Sequence, residues 1–324
     1  MRTKSMIYML GGVPVGSALN EIGLCGGKVF FCDPTNGKAA GDGGDAKTPE
    51  TANNSLETCY SYLRDGKHDT IVLIPGATAN TLVAAISWTK SYCHLIGAFS
   101  PIASGQRCRI VGSAASDLAV LITVSGSGNS FHNLKIANEK DSNTTQTALT
   151  ITGARNYFKN CEIVGVCHAT PGARTDAYDI KLTGAEENTF EDCQIGADTF
   201  DRIAASAHVI CASGAVRNIF RGCRFLIHAN TATTPLFLTI PAAGGIDRYI
   251  WFQSCYFAND GPASAGGSMA EAFDIHDAAG GYVICDNCSL LGATDWEAAT
   301  VSSLTMLNNA TGAVNGGLVV AQTA

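Results

Sequence analysis

NYFKNCEIVG at 156–165, NTFEDCQIGA at 188–197 and NIFRGCRFLI at 218–227 repeat one pattern: an aromatic, a cysteine three residues on, and Ile or Phe two further. Extending the alignment puts Phe131, Phe158, Phe190, Phe220, Phe252 and Cys285 in one column, at separations of 27, 32, 30, 32 and 33 residues. A repeat of that period is the mark of a solenoid coil. The second column reads Leu134, Cys161, Cys193, Cys223, Cys255 and Cys288, and the third Ile136, Ile163, Ile195, Phe225, Phe257 and Leu290. All three columns are apolar.

A separation of three breaks the two-residue period of a strand, so both of the first two columns face inward only if the backbone bends between them. The residue before each cysteine supplies the bend: Asn133, Asn160, Asp192, Gly222, Ser254 and Asn287 are mostly types that accept left-handed backbone or bond their own turn. Stacked in register, Asn133, Asn160 and Asn287 belong to an asparagine-rich ladder. Upstream of each motif lies another short alternating segment, as in VLITVSG at 120–126, ALTITGA at 148–154, YDIKLTGA at 178–185, HVICASGA at 208–215 and LFLTIPA at 236–242. Each coil therefore contributes about three strands and one variable loop. The expected fold is all-β, a single-stranded right-handed parallel β-helix, with five cysteines stacked inside it as small apolar residues.

The segments DTIVLIPG at 69–76, YCHLIGA at 92–98 and CRIVGSA at 108–114 fit less regular first turns. Ahead of them, SLETCYSYLRDG at 55–66 places Leu56, Cys59, Tyr60 and Leu63 on one helical face, with Ser55 or Asn54 as cap and Gly66 as terminator. A short capping helix near 54–65 is expected there, covering the open end of the solenoid. The chain then divides into a docking arm at 1–27, the β-helix at 28–301 and a closing or interface segment at 302–324. Both ends are apolar and nearly without repeat, which points to burial in an assembly.

Composition bounds the function. Of 324 residues 46% are hydrophobic and 15% charged, which excludes a disordered chain. A net charge of −7 without any Lys/Arg run gives no field for nucleic acid. The thirteen cysteines are odd in number, lack zinc-finger spacing and read as buried thiols kept in a reducing compartment. MRTKSMIYMLGGVPVGSALN is interrupted by Gly11, Gly12, Pro14 and Gly16, a poor signal peptide, and no stretch approaches the length of a membrane span.

The order VFFCDPTNG, DGGDAKTPETA, SLETCYSYLRDGKHDTIVLIPG and then coils resembles the lead-in of right-handed parallel β-helix proteins of the pectate-lyase-like superfamily, particularly those carried by tailed bacteriophages. The likeness covers about residues 28 to 290. It implies a virion protein assembled in the host cytoplasm, a homotrimer bound to the major capsid protein or other virion subunits. A capsid-decorating or cement protein is the first reading. A tailspike that binds or cleaves host surface glycan is the alternative, acting then as a polysaccharide lyase or glycoside hydrolase.

Such chemistry needs paired carboxylates, or carboxylates holding calcium beside a base. Outward columns offer Glu162 and Glu191, but each stands among cations and reads as a solvated ladder of ion pairs. Asp192 reads as a turn residue. The best acidic clusters are GADTFDR, with Asp198, Asp201 and Arg202, and RTDAYD, with Arg174, Asp176 and Asp179. Asp176, Asp179, Asp198 and Asp201 are thus the catalytic candidates if the protein is an enzyme, and otherwise they solvate loops. GDGGDA at 41–46 reads as a turn, CDNC at 285–288 as two core cysteines, and His168 beside Cys167 as a pair without an orienting third group. No cofactor and no metal set is indicated. Of Trp88, Trp251 and Trp296, Trp251 is placed to face outward, toward a glycan or a protein.

Overall fold

The computed structural model describes residues 27–98, 104–113, 116, 118–139, 146–204, 206–230, 235–261, 267–297 and 301–309. Three parallel sheets of ten, nine and seven strands run along this chain, and in each sheet the strands follow in sequence order. Each coil therefore lays one strand on each sheet, which makes the molecule a β-helix.

The columns read from the sequence are the observed register. Phe131 pairs with Phe158, Phe158 with Phe190, Phe190 with Phe220, Phe220 with Phe252 and Phe252 with Cys285 in the ten-stranded sheet. Ile136, Ile163, Ile195, Phe225, Phe257 and Leu290 pair in the same manner in the nine-stranded sheet. The Phe rings stack at 4.5 to 5.1 Å between centroids, an offset geometry that adds about 0.5–1.5 kcal/mol per pair beyond burial.

Asn133, Asn160, Asp192, Ser254 and Asn287 adopt φ between 50° and 57°, Gly222 adopts 61°, and Asn308 at 52° continues the column by one coil. This left-handed residue turns the chain from the ten-stranded to the nine-stranded sheet, which lets both the Phe and the Cys columns point inward. The stacked Sγ atoms of Cys161, Cys193, Cys223, Cys255 and Cys288 each lie 3.3 to 3.5 Å from the carbonyl of Phe131, Phe158, Phe190, Phe220 and Phe252 respectively. A thiol fills the corner and offers its weak donor to the coil below. Twelve cysteines are buried and free, Cys25 lying outside the described residues.

The asparagine ladder has two parts. At the left-handed corner it is short: Asn160 Nδ2 donates to Asn133 Oδ1 at 2.9 Å and Asn287 Nδ2 to Ser254 Oγ at 3.2 Å. The longer ladder stands at the opposite corner, two residues before each Phe, and is buried: Asn129, Asn156, Asn188 and Asn218. There the Oδ1 of Asn156, Asn188 and Asn218 accepts both the backbone N–H and the side-chain amide of the asparagine one coil earlier, at 2.9 to 3.1 Å, and Asn129 Oδ1 accepts the Cys93 N–H at 2.9 Å. Asn156, Asn188 and Asn218 also donate to the carbonyls of Gly126, Gly153 and Ala185.

The capping helix runs Leu56–Tyr62, with Ser55 Oγ accepting from the Thr58 N–H at 3.2 Å. It ends at Leu63, earlier than Gly66, because the Leu63 backbone is already extended. Leu56, Cys59 and Leu63 close the core over Phe30 and Cys32. The solenoid continues past residue 301: Leu304–Leu307 forms the last strand of the ten-stranded sheet. Of the arm expected at 1–27 all but residue 27, and of the segment expected at 302–324 residues 310–324, lie outside the described residues.

Two histidines are buried on the outer side of the first coils. His94 Nδ1 meets Ser130 Oγ at 2.7 Å, and the His132 ring packs edge-on to Tyr157. Burial, with the neighbouring His68 and His132, pushes His94 down to about 4, and burial with Lys159 does the same to His132. The unfolded chain protonates near pH 6.5, so stability is full above that value and falls as pH drops toward 4. At pH 5 each histidine should have removed about 2 kcal/mol relative to pH 8. Urea unfolding of the His132→Gln variant should show that much less loss over this range; an unchanged pH profile counts against the assignment.

Candidate functional site

The nine-stranded sheet presents Lys135, Glu162 and Gln194 side by side on its outer face. Above them rise two loops from neighbouring coils, one after Val164 and one after Ile195, leaving a cavity of about 570 Å³ walled also by Ser104, His168, Asp198 and Phe200. Val111, Ala137, Val164 and Cys167 make an apolar floor beside the polar column, with Phe200 packed against it.

Glu162 is not the solvated residue that its column suggested. It is 5% exposed, and its carboxylate accepts from the Gly105 and Gln106 N–H groups at 2.7 and 3.1 Å and faces Lys135 Nζ at 3.1 Å. The chain passing over it at 104–106 brings the donors that replace water. Gln194 Oε1 accepts from Ser104 Oγ at 2.5 Å. Glu191 does behave as expected, bridging Lys159 at 3.3 Å and Arg221 at 3.4 Å on the outer ladder. Cys167 and His168 do not form a reactive pair: burial pushes the thiol up to about 12, and His168 Nδ1 accepts the Thr170 N–H as cap of the helix Ala169–Gly172.

The two acidic loops separate and recombine. Asp176 is held by Arg174 through bonds of 2.8 and 2.9 Å. Asp179, three residues on, turns inward and is fully buried, so RTDAYD is not one cluster. Asp198 is exposed at the cavity wall, while Asp201 points away toward His228 and Asn230. Arg202 leaves its own loop and enters the protein, where its Nη2 meets Asp179 Oδ2 at 2.7 Å and its Nη1 meets Ser206 Oγ at 3.1 Å.

Asp179 also bonds His208 Nδ1 on the neighbouring strand, and its Oδ1 accepts the Gly165 N–H at 2.5 Å. Burial alone would raise this carboxyl, yet the charge of Arg202 and the hydrogen bonds from His208 and Gly165 outweigh it and hold the group below its usual range. Burial holds His208 below the usual histidine range in spite of Asp179. The network fastens both loops to the coil and sits beneath Gly196, where a Cβ would fall 1.9 Å from the His208 ring. It is a structural clasp without access for a substrate. CDNC is likewise structural, with Cys285 and Cys288 both in the core. Trp88 and Trp296 are core residues, and Trp251 lies half-buried on the outer face beside Tyr249.

Three in-register parallel sheets and a bent aromatic and cysteine seam make this a right-handed parallel β-helix, similar in fold to solved pectate lyase and pectin methylesterase structures. A solved pectate lyase, Pel9A, matches it with a TM-score of 0.60 at 14% identity, over 87% of this chain and 68% of that one. The pectin methylesterase of Aspergillus niger gives 0.55 at 13% identity, covering 88% and 85%. Pectin methylesterase PemA from Erwinia chrysanthemi gives 0.52 at 14%, covering 86% and 80%. At such identities the likeness is one of fold. The sequence matches no protein-family model and no curated protein sequence.

Proposed function

We propose that the protein is a non-enzymatic structural component of a bacteriophage virion, a rigid post that decorates the capsid and binds neighbouring capsid subunits. The observation that carries this reading is the state of its carboxylates. Glu162 is occupied by Lys135 and two backbone donors, Asp179 is sealed in a clasp, Asp176 is paired with Arg174 and Glu191 with two cations. Groups so engaged hold structure and are poorly placed to give or take a proton. The phage setting is supported by the lead-in segment described above. A partner surface is supported by the last coils, whose outer face carries Tyr249 and Trp251 paired in register with Tyr282 and Ile284, with exposed Leu307 beyond. Trimerisation about a capsid threefold position fits a post of this kind.

The test is copy number, by calibrated mass spectrometry of purified virions against the major capsid protein. On the order of hundreds of copies is expected for a decorating protein that follows capsid symmetry. A few copies to a few tens would overturn the reading in favour of a tail protein that binds or cleaves host polysaccharide. One observation favours that second reading, the cavity where Asp198 and Phe200 face Gln194. In that case Asp198→Ala should abolish glycan binding.

A further inference from the structure

The last coils differ from the others in charge. After Arg248 the chain has no Lys or Arg and seven Asp or Glu, so the whole formal net charge of −7 falls there and the preceding coils balance. Asp274 and Asp277 are exposed, and Asp286 is half-buried beside the Asn308 amide, which donates to it at 2.8 Å.

The same end gathers exposed apolar side chains. On the outer face of the ten-stranded sheet Tyr249 pairs with Tyr282, Trp251 with Ile284 and Gln253 with Asp286, and Asp286 pairs in turn with Leu307 on the last strand. Tyr282 is 57% exposed and Leu307 43%, and round the corner at Asn287, on the nine-stranded sheet, Tyr256 and Leu291 are exposed as well. A contiguous apolar face ringed by charge marks a contact surface.

We propose that this end of the solenoid docks a basic protein surface, whose Arg or Lys side chains lie against the rings of Tyr249, Trp251 and Tyr282 and reach Asp286. Granted the reading of the last coils as a partner surface, the charge chooses the partner. Tyr282 and Asp286 stand four residues apart on one strand and so on one face, where a guanidinium can stack on the ring and bond the carboxylate in one pose. An uncharged partner would strip water from these carboxylates and return nothing, whereas a cation compensates them. A second copy brought to this end sets acid against acid, and a nucleic acid or polyuronate meets the same repulsion.

Full-length protein is titrated with fluorescein-labelled nona-arginine and, as the opposite charge, nona-glutamate, at about 50 and about 300 mM salt. Saturable one-site binding of nona-arginine is expected by anisotropy, weakened at least about 10-fold at the higher salt, and nona-glutamate should not bind. Unlabelled nona-arginine should change the emission of Trp251, since Trp88 and Trp296 are sealed in the core. Asp277→Asn combined with Asp286→Asn, and separately Tyr282→Ala, should each weaken binding about 10-fold. Asp42→Asn combined with Glu50→Gln removes two exposed carboxylates at the other end of the solenoid and should leave binding unchanged. The proposal is overturned by a wild type that shows no saturable binding, or by equal losses in the two carboxylate pairs, which would mean attraction to net charge alone. Self-association of the wild type that Tyr282→Ala abolishes would give the face to a second copy and overturn it too. Virion copy number is a separate count: a high number without peptide binding keeps the decorating role and removes the basic partner, and a low number with binding does the reverse.

Discussion

Asn188→Ala should lower the stability of the β-helix by about 4 kcal/mol, seen as a large fall in urea midpoint and as a transition that broadens or splits. Asn188 Oδ1 accepts the backbone N–H and the side-chain amide of Asn156, and its own amide donates to Gly153 and Asn218. Alanine leaves the Asn156 N–H and the Gly153 carbonyl without these partners in a fully buried corner, each costing about 1–3 kcal/mol. The loss falls at one rung of a structure whose coils touch only their neighbours, so it weakens the coupling between the halves on either side. Asn133→Ala, at the more open corner, removes the 2.9 Å bond from Asn160 and a long 3.4 Å bond to the Gly97 carbonyl and sets alanine at φ 57°, and should cost about 2 kcal/mol with no splitting. Equal effects of the two substitutions would show that the buried ladder has no special weight.

The contrast between these two asparagines also shows what was legible in the sequence. The aromatic, cysteine and isoleucine columns were readable because a solenoid repeats the same burial at each coil, so the alignment averages over loops. The bend was readable for the same reason, since left-handed backbone restricts Asn133, Asn160 and Asp192 to a few residue types. The buried ladder of Asn129, Asn156, Asn188 and Asn218 was equally visible, in NSF, NYF, NTF and NIF, but polar residues two before an aromatic look like strand ends until the fold shows them covered. The ladder stops where Ile250 replaces asparagine and packs in the core. His208 was not legible. It has no counterpart in other coils, and its partner Asp179 is 29 residues away, on the neighbouring strand. For the same reason Asp176 and Asp179 looked like one cluster: contiguity in a loop says nothing about which side chain the next coil will bury. Glu162 was placed in the right column and given the wrong environment, because the 104–106 segment that covers it lies 56 residues upstream of it.

Asp179→Ala should lower stability by about 3–5 kcal/mol, since removing one member of a buried charge network leaves the others uncompensated. Arg202 is 1% exposed and His208 fully buried, so neither can turn to water without moving the chain that carries it. Arg202→Ala should cost a comparable amount, and the double variant clearly less than the sum, because the second substitution relieves the charge left by the first. The loops fastened by the clasp, at 165–176 and 196–204, should become the first sites of limited proteolysis. The pH response carries a further sign. His208 is held below its ordinary value, so its contribution is complete above about pH 6.5 and declines as the unfolded chain takes up a proton; Asp179, also held low, adds its loss only below about pH 4. His208→Gln should therefore flatten the upper part of the acid limb and leave the lower part, and Asp179→Asn should flatten the lower. An Asp179→Ala variant within about 1 kcal/mol of wild type, or additive behaviour with Arg202→Ala, would mean that the loops are held by their apolar contacts and that the ionic clasp contributes little.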